Sequence, residues 1–274
     1  MNKIRILNSL MVALLCYGCK TKKTLTFQQQ YEEADRLYEK KKFAKAAEIY
    51  SDLYPQVPNK IDNIKILKKL ADCLYREKKY KKCYNDYKTL YTTVFDGDRL
   101  LNGFRMCDCS FNLLEKNNKR DISQAETLLE AIDAVLEENE NVDDEQELKI
   151  LDDLKKIKDE VLNKIIDKQV SIINTYEKLE MFDATVTCAK NFILKYPDSK
   201  FTPEICRTLL KSQYLNAKRF EDIHKKMTEE QRNILFDKWK EIVLTFDNYK
   251  ENLQDDGESK NFYEQALRKL NLQK

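Results

Sequence analysis

The feature that most constrains this chain is a five-residue pattern that returns at a nearly fixed interval. The second and third copies begin 37 and 36 residues after the copy before them, and the three copies are Ala34–Tyr38, Ala71–Tyr75 and Cys107–Phe111. After each of the first two copies, an aromatic and then a small residue follow at one spacing: Phe43 with Ala46, and Tyr80 with Cys83. Self-similarity at this period is typical of helical repeat arrays, in which each helix pair buries its apolar face against its neighbours.

Apolar and small residues in each copy lie three and four positions apart, which places them on one face of a helix. In the first repeat Phe43 and Ala46 begin a second helix, which ends by Pro55 because proline cannot continue a helix interior. Small residues at the crossing, aromatic residues beside them and a closing proline resemble the tetratricopeptide repeat. The chain has four glycines, four prolines and 35% charged residues. We therefore predict an all-α, tetratricopeptide-like helical-repeat superhelix of about five helix pairs.

A long helix divides the predicted repeats. Residues 27–144 contain repeats one to three, and the third ends in an acidic stretch, 137–147, which we interpret as a solvated loop. No proline or glycine occurs from 145 to 180, and apolar residues recur there at helical spacing, so we predict one long helix that bridges the third and fourth repeats. Residues 145–274 hold this helix, repeats four and five, and a capping helix near 259–270.

The first residues have the layout of an export signal. Lys3 and Arg5 precede a mostly apolar segment that is too short to span a bilayer as a stable helix, so residues 1–18 are assigned as a signal peptide. Gly18-Cys19 resembles the lipobox of bacterial lipoproteins, whose cysteine is acylated, for example with palmitate, and becomes the first mature residue. Cys19 is therefore the predicted lipidation site and residues 19–26 a polar tether. The alternative is an ordinary signal, cleaved nearby, that leaves a soluble periplasmic protein.

Charge gives no indication of a nucleic-acid partner. The formal net charge is +2, and removing Lys3 and Arg5 leaves equal numbers of acidic and basic residues. The two signs are interspersed, so no basic surface is expected. Beyond the signal no apolar run is long enough to cross a membrane, and the lipid is the only predicted membrane attachment.

The cysteines beyond the signal show no metal-binding spacing. None forms a Cys-x-x-Cys pair, and the single histidine, His224, lies far from them in the sequence, so we predict no metal site. Cys83 and Cys107 fall where a repeat requires a small buried residue. Burial is the first interpretation of these two residues, and a Cys83–Cys107 disulfide is the alternative.

The sequence also lacks the signature of an enzyme. A single histidine argues against a nucleophilic triad, and four glycines could hardly build a phosphate-binding loop. We predict no catalytic residue, no cofactor and no enzymatic activity.

Binding is the predicted activity. First helices line the concave surface in this fold, and six of their residues would form a row of acids beside a row of aromatic rings: Asp35, Tyr38, Asp72, Tyr75, Asp108 and Phe111. The hypothesis is a groove for an extended segment that carries aromatic side chains and one or two positive charges. The alternative is that the tyrosines complete the core and the aspartates are solvated.

Part of the second half resembles a known family. Lys190–Lys200, followed by Leu209–Tyr214, is similar to the fourth and fifth repeats of the BamD family, the lipoproteins of the outer-membrane β-barrel assembly machine. The resemblance covers roughly residues 27–246. It implies a non-catalytic lipoprotein on the periplasmic face of the outer membrane. It also implies binding to a BamA-like barrel subunit, to other assembly-machine lipoproteins, and to the aromatic-ended C-terminal strand of unfolded outer-membrane proteins, for their folding and insertion.

Two other classes of lipoprotein compete with this interpretation. A scaffold of another envelope machine, such as a secretion or gliding apparatus, could be built from the same repeats. A glycan-capturing lipoprotein with helical repeats would carry exposed tryptophans. The chain has one tryptophan, Trp239, in a helix predicted to be buried, which argues against glycan capture.

Overall fold

The computed structural model describes residues 25–57, 59–94, 97–117 and 122–271, and the regular elements of these residues are all helices. In chain order they are α1 (Phe27–Glu39), α2 (Phe43–Leu53), a 3-10 turn (Tyr54–Gln56), α3 (Lys60–Arg76), α4 (Tyr80–Thr93), α5 (Arg99–Asn117), α6 (Ser123–Glu137), α7 (Glu145–Lys178), α8 (Phe182–Lys195), α9 (Thr202–Ile223), α10 (Glu229–Asn248), α11 (Lys250–Leu253) and α12 (Gly257–Asn271). The predicted signal peptide, Cys19 and most of the tether lie outside the described residues.

Three of the helix pairs are joined by the same turn, which shows that the sequence repeat is also a structural repeat. The turns join α1 to α2, α3 to α4 and α7 to α8, and each contains one residue with positive φ: 55° at Lys41, 55° at Lys78 and 54° at Glu180. In every case the amide of this residue donates to the carbonyl three positions back, and the next amide donates to the carbonyl five positions before itself. These bonds satisfy carbonyls at the end of the first helix. The predicted all-α, tetratricopeptide-like fold is confirmed.

Small buried residues let the paired helices approach closely, as the pattern predicts. Ala34 and Ala46 in the first repeat have no exposed surface, and neither do Ala71 and Cys83 in the second. A larger side chain at these positions would force apart helices whose axes in such pairs lie about 8–10 Å from each other.

The chain divides into two compact units. Of the described residues, the first unit comprises those within 25–117 and 131–154, and the second comprises those within 122–130 and 155–271. The division therefore falls inside two helices, between residues 130 and 131 of α6 and between residues 154 and 155 of α7, a continuous helix of 34 residues. Buried residues on α7 explain this position, because Leu154 belongs to the first unit while Val170 and Ile173 belong to the core of the second.

The second unit has a core rich in aromatic residues. Trp239 on α10 is 1% exposed, which confirms its predicted burial. The Tyr214 ring contacts it edge-on at a centroid distance of 5.8 Å and stacks on Phe262 of α12 at 4.3 Å. α12 is the predicted capping helix, and it buries Phe262 and Ala266 in this core.

The acidic stretch after α6 contributes more than a solvated loop. Asp144 caps α7, because its Oδ1 accepts hydrogen bonds from the amides of Gln146 and Glu147 at 2.9 and 3.0 Å. Glu138 accepts a hydrogen bond from the Tyr91 hydroxyl at 2.6 Å and pairs with Arg99 at 2.9 Å. Two of its acids therefore hold neighbouring elements of the first unit.

Candidate protein-binding face on the first helices

The six residues predicted to bind a peptide lie on the first helices of the first three repeats. All are partly exposed, two on each helix: Asp35 and Tyr38 on α1, Asp72 and Tyr75 on α3, Asp108 and Phe111 on α5. We call the surface that they share the first-helix face.

Hydrogen bonds across this face connect each repeat to the next. The Tyr38 hydroxyl donates to Oδ2 of Asp72 at 2.6 Å, and the Tyr75 hydroxyl donates to the Asp108 carboxylate. The partners are 34 and 33 residues apart, close to the period of the sequence repeat. We call these bonds the tyrosine–aspartate ladder. They give the recurring Asp-x-x-Tyr spacing a physical reason, because Asp72 accepts from the repeat before it while Tyr75 donates to the repeat after it.

The ladder changes at both of its ends. Asp35, in the first repeat, accepts a hydrogen bond from Tyr50 of the same repeat. Phe111, in the third repeat, stands at the tyrosine position of the pattern, and a phenyl ring has no hydroxyl to donate. The ladder therefore spans α1, α3 and α5.

Burial keeps the ladder hydroxyls protonated. It raises the pKa of Tyr38 to about 12, and the hydrogen bond to Asp72 adds to this effect. Burial also raises the pKa of Tyr75, followed by the contribution of the Asp108 carboxylate. Both hydroxyls therefore remain donors at neutral pH.

Two basic residues that the sequence analysis missed lie over the ladder tyrosines. Lys69 Nζ lies 4.4 Å from the centre of the Tyr38 ring, and the guanidinium carbon of Arg105 lies 4.1 Å from the centre of the Tyr75 ring. Both distances are within the range of cation–π attraction. Lys69 and Arg105 each stand three residues before a ladder aspartate, a signal that aligning the pattern copies would have revealed.

The basic residues of this face differ in whether they form an ion pair with a carboxylate. Lys69 lies 3.5 Å from Asp35, and Arg76 donates to Asp72 at 2.9 Å. Arg105 has the rings of Tyr75 and Phe104 beside it, and no carboxylate of the described residues forms an ion pair with it. The ladder aspartates are thus already partnered, whereas one guanidinium is not. Peptide binding by the six residues stays a prediction.

A groove of about 710 Å³ lies between α2 and α4, and its lining includes Ala44, Ala47 and, from α3, Leu70 and Leu74. We call it the outer groove. Asp86 of α4 also lines it, and burial raises the pKa of this carboxyl to about 6.

The cysteine geometry differs from the pairing considered in the sequence analysis. Cys83 and Cys107 are both fully buried, as predicted. The sulfur next to Cys83 is that of Cys109, at 3.0 Å, and not that of Cys107. Positions 107 and 109 point to different sides of α5, and the side that meets Cys83 carries Cys109.

The described part of the chain was also compared with what a metal site, a reactive histidine or a membrane span would require. No three His, Cys, Asp or Glu side chains are grouped there so that they could hold a metal ion. His224 is engaged locally, since its Nδ1 lies 3.0 Å from the Phe220 carbonyl oxygen and its ring stacks on Phe220. Within the same residues, no helix combines the length and the apolar character that crossing a bilayer requires.

Comparison with known proteins yields structural neighbours only. No family model and no curated protein matches the sequence. A tetratricopeptide-repeat protein of Thermus thermophilus is similar over 88% of this chain and 99% of its own, at 15% identity and a TM-score of 0.35. A tetratricopeptide-repeat protein of Parabacteroides merdae is similar over 88% and 98%, at 11% identity and a TM-score of 0.36. The TPR2AB domain of yeast Sti1, in a complex with pHSP90, is similar over 88% of this chain and 98% of its own, at 11% identity and a TM-score of 0.34.

Likeness at this level bears on the fold alone, and the fold assignment rests on the chain's own repeated turns and helix pairs. The protein is an all-α, tetratricopeptide-like repeat protein. Stacked helix pairs of this kind present extended surfaces that bind other proteins.

Proposed function

We propose that this chain is a non-catalytic binding protein that holds the C-terminal, aromatic-ended segment of an unfolded protein on its first-helix face. The observation that carries the proposal is the tyrosine–aspartate ladder with Arg105 lying over Tyr75. It provides partly exposed aromatic rings, a fixed geometry and an arginine without a carboxylate partner at one place.

The ladder supports binding because it fixes its rings before a ligand arrives. Tyr38 and Tyr75 each have their hydroxyl bound to the next repeat and another aromatic ring against them, Phe43 at 5.6 Å and Tyr80 at 6.1 Å between centroids. Side chains that are already ordered lose little conformational entropy when a peptide packs on them. Aromatic residues in such settings supply a large share of binding energy.

Charge selects the kind of segment. The sequence analysis predicts a ligand whose positive charges face the row of aspartates. In the structure Asp72 and Asp108 accept hydrogen bonds from tyrosine hydroxyls, so we propose instead that the ligand carries a negative charge, which pairs with Arg105. A terminal carboxylate can form a bidentate ion pair with the Arg105 guanidinium while a terminal aromatic side chain packs on Tyr75.

The test uses two labelled ten-residue peptides that end in phenylalanine, one with a free carboxylate and one amidated, titrated into the full chain by fluorescence anisotropy. We expect Arg105→Gln to weaken binding of the free-acid peptide by about tenfold or more, and amidation to have a similar effect. Arg268→Gln is the matched control, since this arginine is 76% exposed on α12 in the second unit. Equal affinities for both peptides, or no effect of Arg105→Gln, would contradict the proposal.

We further propose the setting in which this binding occurs. The chain is acylated at Cys19, lies on the periplasmic face of the outer membrane, and serves the β-barrel assembly machine by contacting a BamA-like subunit and other lipoproteins of that machine. The resemblance of Lys190–Lys200 and Leu209–Tyr214 to the BamD family supports this setting. The end of the first of these segments is held by a hydrogen bond between the end of α8 and the start of α9, which the Thr202 hydroxyl donates to the Tyr196 carbonyl at 2.8 Å.

Crosslinking in intact cells, followed by identification of the partner, tests the setting separately from the peptide titration. Recovery of a BamA-like barrel subunit is the expected result. Recovery of secretion or gliding subunits would instead assign the chain to the scaffold of another envelope machine. Mass spectrometry of the mature protein tests the anchor, and a Cys19 without acyl chains would contradict it.

A further inference from the structure

We propose that Cys83 and Cys109 form a disulfide that joins α4 to α5 and so links the second repeat covalently to the third. This inference does not rest on the proposed peptide-binding function. It assigns a covalent modification to two cysteines that the binding face does not use.

Proximity and burial both single out this pair. The two sulfur atoms lie 3.0 Å apart, and neither residue has exposed surface. Cys83 belongs to the second helix of the second repeat, and Cys109 belongs to the first helix of the third. A disulfide bond of about 2.0 Å requires the sulfurs to close by only about 1 Å. No change of helix register is needed.

A hydrogen bond joins the two thiols in the folded chain. Either sulfur can be its donor, and the Cys83 Sγ also lies 3.5 Å from the Tyr80 carbonyl oxygen. The folded chain thus holds the two sulfurs against each other.

The bond forms by thiol–disulfide exchange with an external disulfide, either a small molecule or an oxidoreductase. The thiolate of one cysteine, Cys83 or Cys109, attacks one sulfur of that disulfide, forms a mixed disulfide and releases the first external thiolate, which takes a proton. The other cysteine then loses its proton and attacks the sulfur of the first, and the second external thiolate leaves. Two protein thiols are oxidised to one disulfide, and one external disulfide is reduced to two thiols.

Burial determines when this exchange takes place. An external disulfide cannot reach sulfurs that have no exposed surface, so the reaction occurs before α5 packs on α4 during folding. Once the helices have packed, the same burial protects the bond from reductants. The cross-link is thus a structural bond acquired on folding in an oxidising compartment.

Cys107 provides an internal control. It lies on the same helix as Cys109, is equally buried, and burial raises its pKa to about 12. Among the described residues no other sulfur lies within hydrogen-bonding distance of it. Burial alone therefore does not distinguish Cys109 from Cys107, whereas the contact with Cys83 does.

The test is to refold the full chain from denaturant in a buffer of reduced and oxidised glutathione, alkylate the remaining thiols and map the peptides by mass spectrometry. We expect one cross-linked species that contains Cys83 and Cys109, with Cys107 alkylated. The oxidised protein should unfold roughly 5–10 °C above the reduced protein, since the bond closes a loop of intermediate length.

Two variants separate the bond from general effects of losing a thiol. Cys107→Ser should keep both the cross-link and the response of Tm to reductant, while Cys83→Ser should lose both. Recovery of Cys83 and Cys109 as alkylated residues from the refolded wild-type chain would overturn the proposal, as would linkage of either residue to a different cysteine. This mapping of the wild-type chain gives the answer even if a variant fails to fold.

Discussion

The same position of the repeat is occupied by different chemistry in the two units. In the first unit it holds Tyr38 and Tyr75, whose hydroxyls bind aspartates 34 and 33 residues ahead. In the second unit the shared turn places Glu177 at this position, three residues before the residue with positive φ, and Glu177 accepts from Lys211, 34 residues ahead, at 2.9 Å. A side-chain contact between successive first helices therefore occurs in both units, but it is a tyrosine–aspartate hydrogen bond in the first and a lysine–glutamate ion pair in the second.

Aromatic side chains show the same contrast. In the first unit, Tyr38 and Tyr75 stay partly exposed on the first-helix face. In the second unit, Trp239 and the stacked pair Tyr214 and Phe262 belong to the buried core. The proposed binding through exposed rings therefore uses the first unit, whereas Trp239, Tyr214 and Phe262 pack the core of the second.

The largest expected effect on stability comes from replacing the residue at the shared position, Tyr75 in the first unit and Glu177 in the second, by alanine. Tyr75→Ala deletes a half-buried ring, its contacts with Tyr80 and Tyr87, and the hydrogen bond to Asp108. We expect a loss of about 2–3 kcal/mol in the free energy of unfolding, measured with urea. Glu177→Ala should lose at most about 1 kcal/mol, because it removes one partly exposed ion pair.

Tyr75→Phe is the control for that experiment, since it keeps the ring and removes only the hydroxyl. Its expected loss is about 1 kcal/mol. A loss from Glu177→Ala equal to that from Tyr75→Ala would remove the distinction between the two units.

A smaller, pH-dependent effect tests the outer groove of the first unit. Burial raises the pKa of Asp86 to about 6 in the folded chain, above its ordinary value of 3.8. The folded state then binds a proton more tightly than the unfolded state, so the contribution of Asp86 lowers the stability as pH rises from about 4 through 6. Asp86→Asn should therefore raise the free energy of unfolding by about 1–2 kcal/mol at pH 8, and by little at pH 4.

Asp52→Asn is the matched control, because this acid lines the same groove but is exposed. It should change the stability little at either pH. A gain from Asp86→Asn that is the same at pH 4 and pH 8 would show that desolvation of the Asp86 charge is not its cause.

The turn that the two units share gives a prediction about what they have in common. Lys41 has a φ of 55°, in the left-handed region that a side chain disfavours and glycine does not. Lys41→Gly should raise the free energy of unfolding by about 0.5–1 kcal/mol in thermal or urea unfolding. Lys40→Gly, one residue earlier at a φ of −80°, should lower it instead, and a loss of stability in Lys41→Gly would contradict the turn geometry.

The smallest expected effect separates the two kinds of contact by their response to salt. A double-mutant cycle on Glu177 and Lys211 should give a coupling of about 0.5 kcal/mol at low ionic strength that vanishes at about 1 M NaCl. A cycle on Tyr75 and Asp108 should retain its coupling at both salt concentrations, because the hydroxyl carries no net charge. Equal salt sensitivity of the two cycles would mean that the ladder is not a hydrogen-bonded contact of the type described.

The sequence reveals the repeats because their packing is local. Small and aromatic residues at fixed spacing define helix pairs, and the absence of proline and glycine from 145 to 180 defines α7, which the structure places at Glu145–Lys178. The capping helix follows from the same periodicity. These features depend on neighbours within one or two turns of helix.

The partners of polar side chains were not predictable in the same way, because they depend on how neighbouring helices cross. The pattern identifies Asp72 and Tyr38 as members of one face, but not as partners. Likewise, Cys107 and Cys109 differ by two positions on α5, and only the rotation of α5 against α4 determines which sulfur meets Cys83. The pattern does not identify Lys69 and Arg105 as partners of the tyrosine rings either, because the ring under each cation belongs to the preceding repeat.

Hydrogen exchange of the full chain, with and without the free-acid peptide and measured by mass spectrometry, tests the central claim most directly. If the first-helix face is the binding site, added peptide should slow exchange in α3 and α5 and leave α9 and α10 unchanged. Slower exchange confined to the second unit, or no change at saturating peptide, would contradict the account.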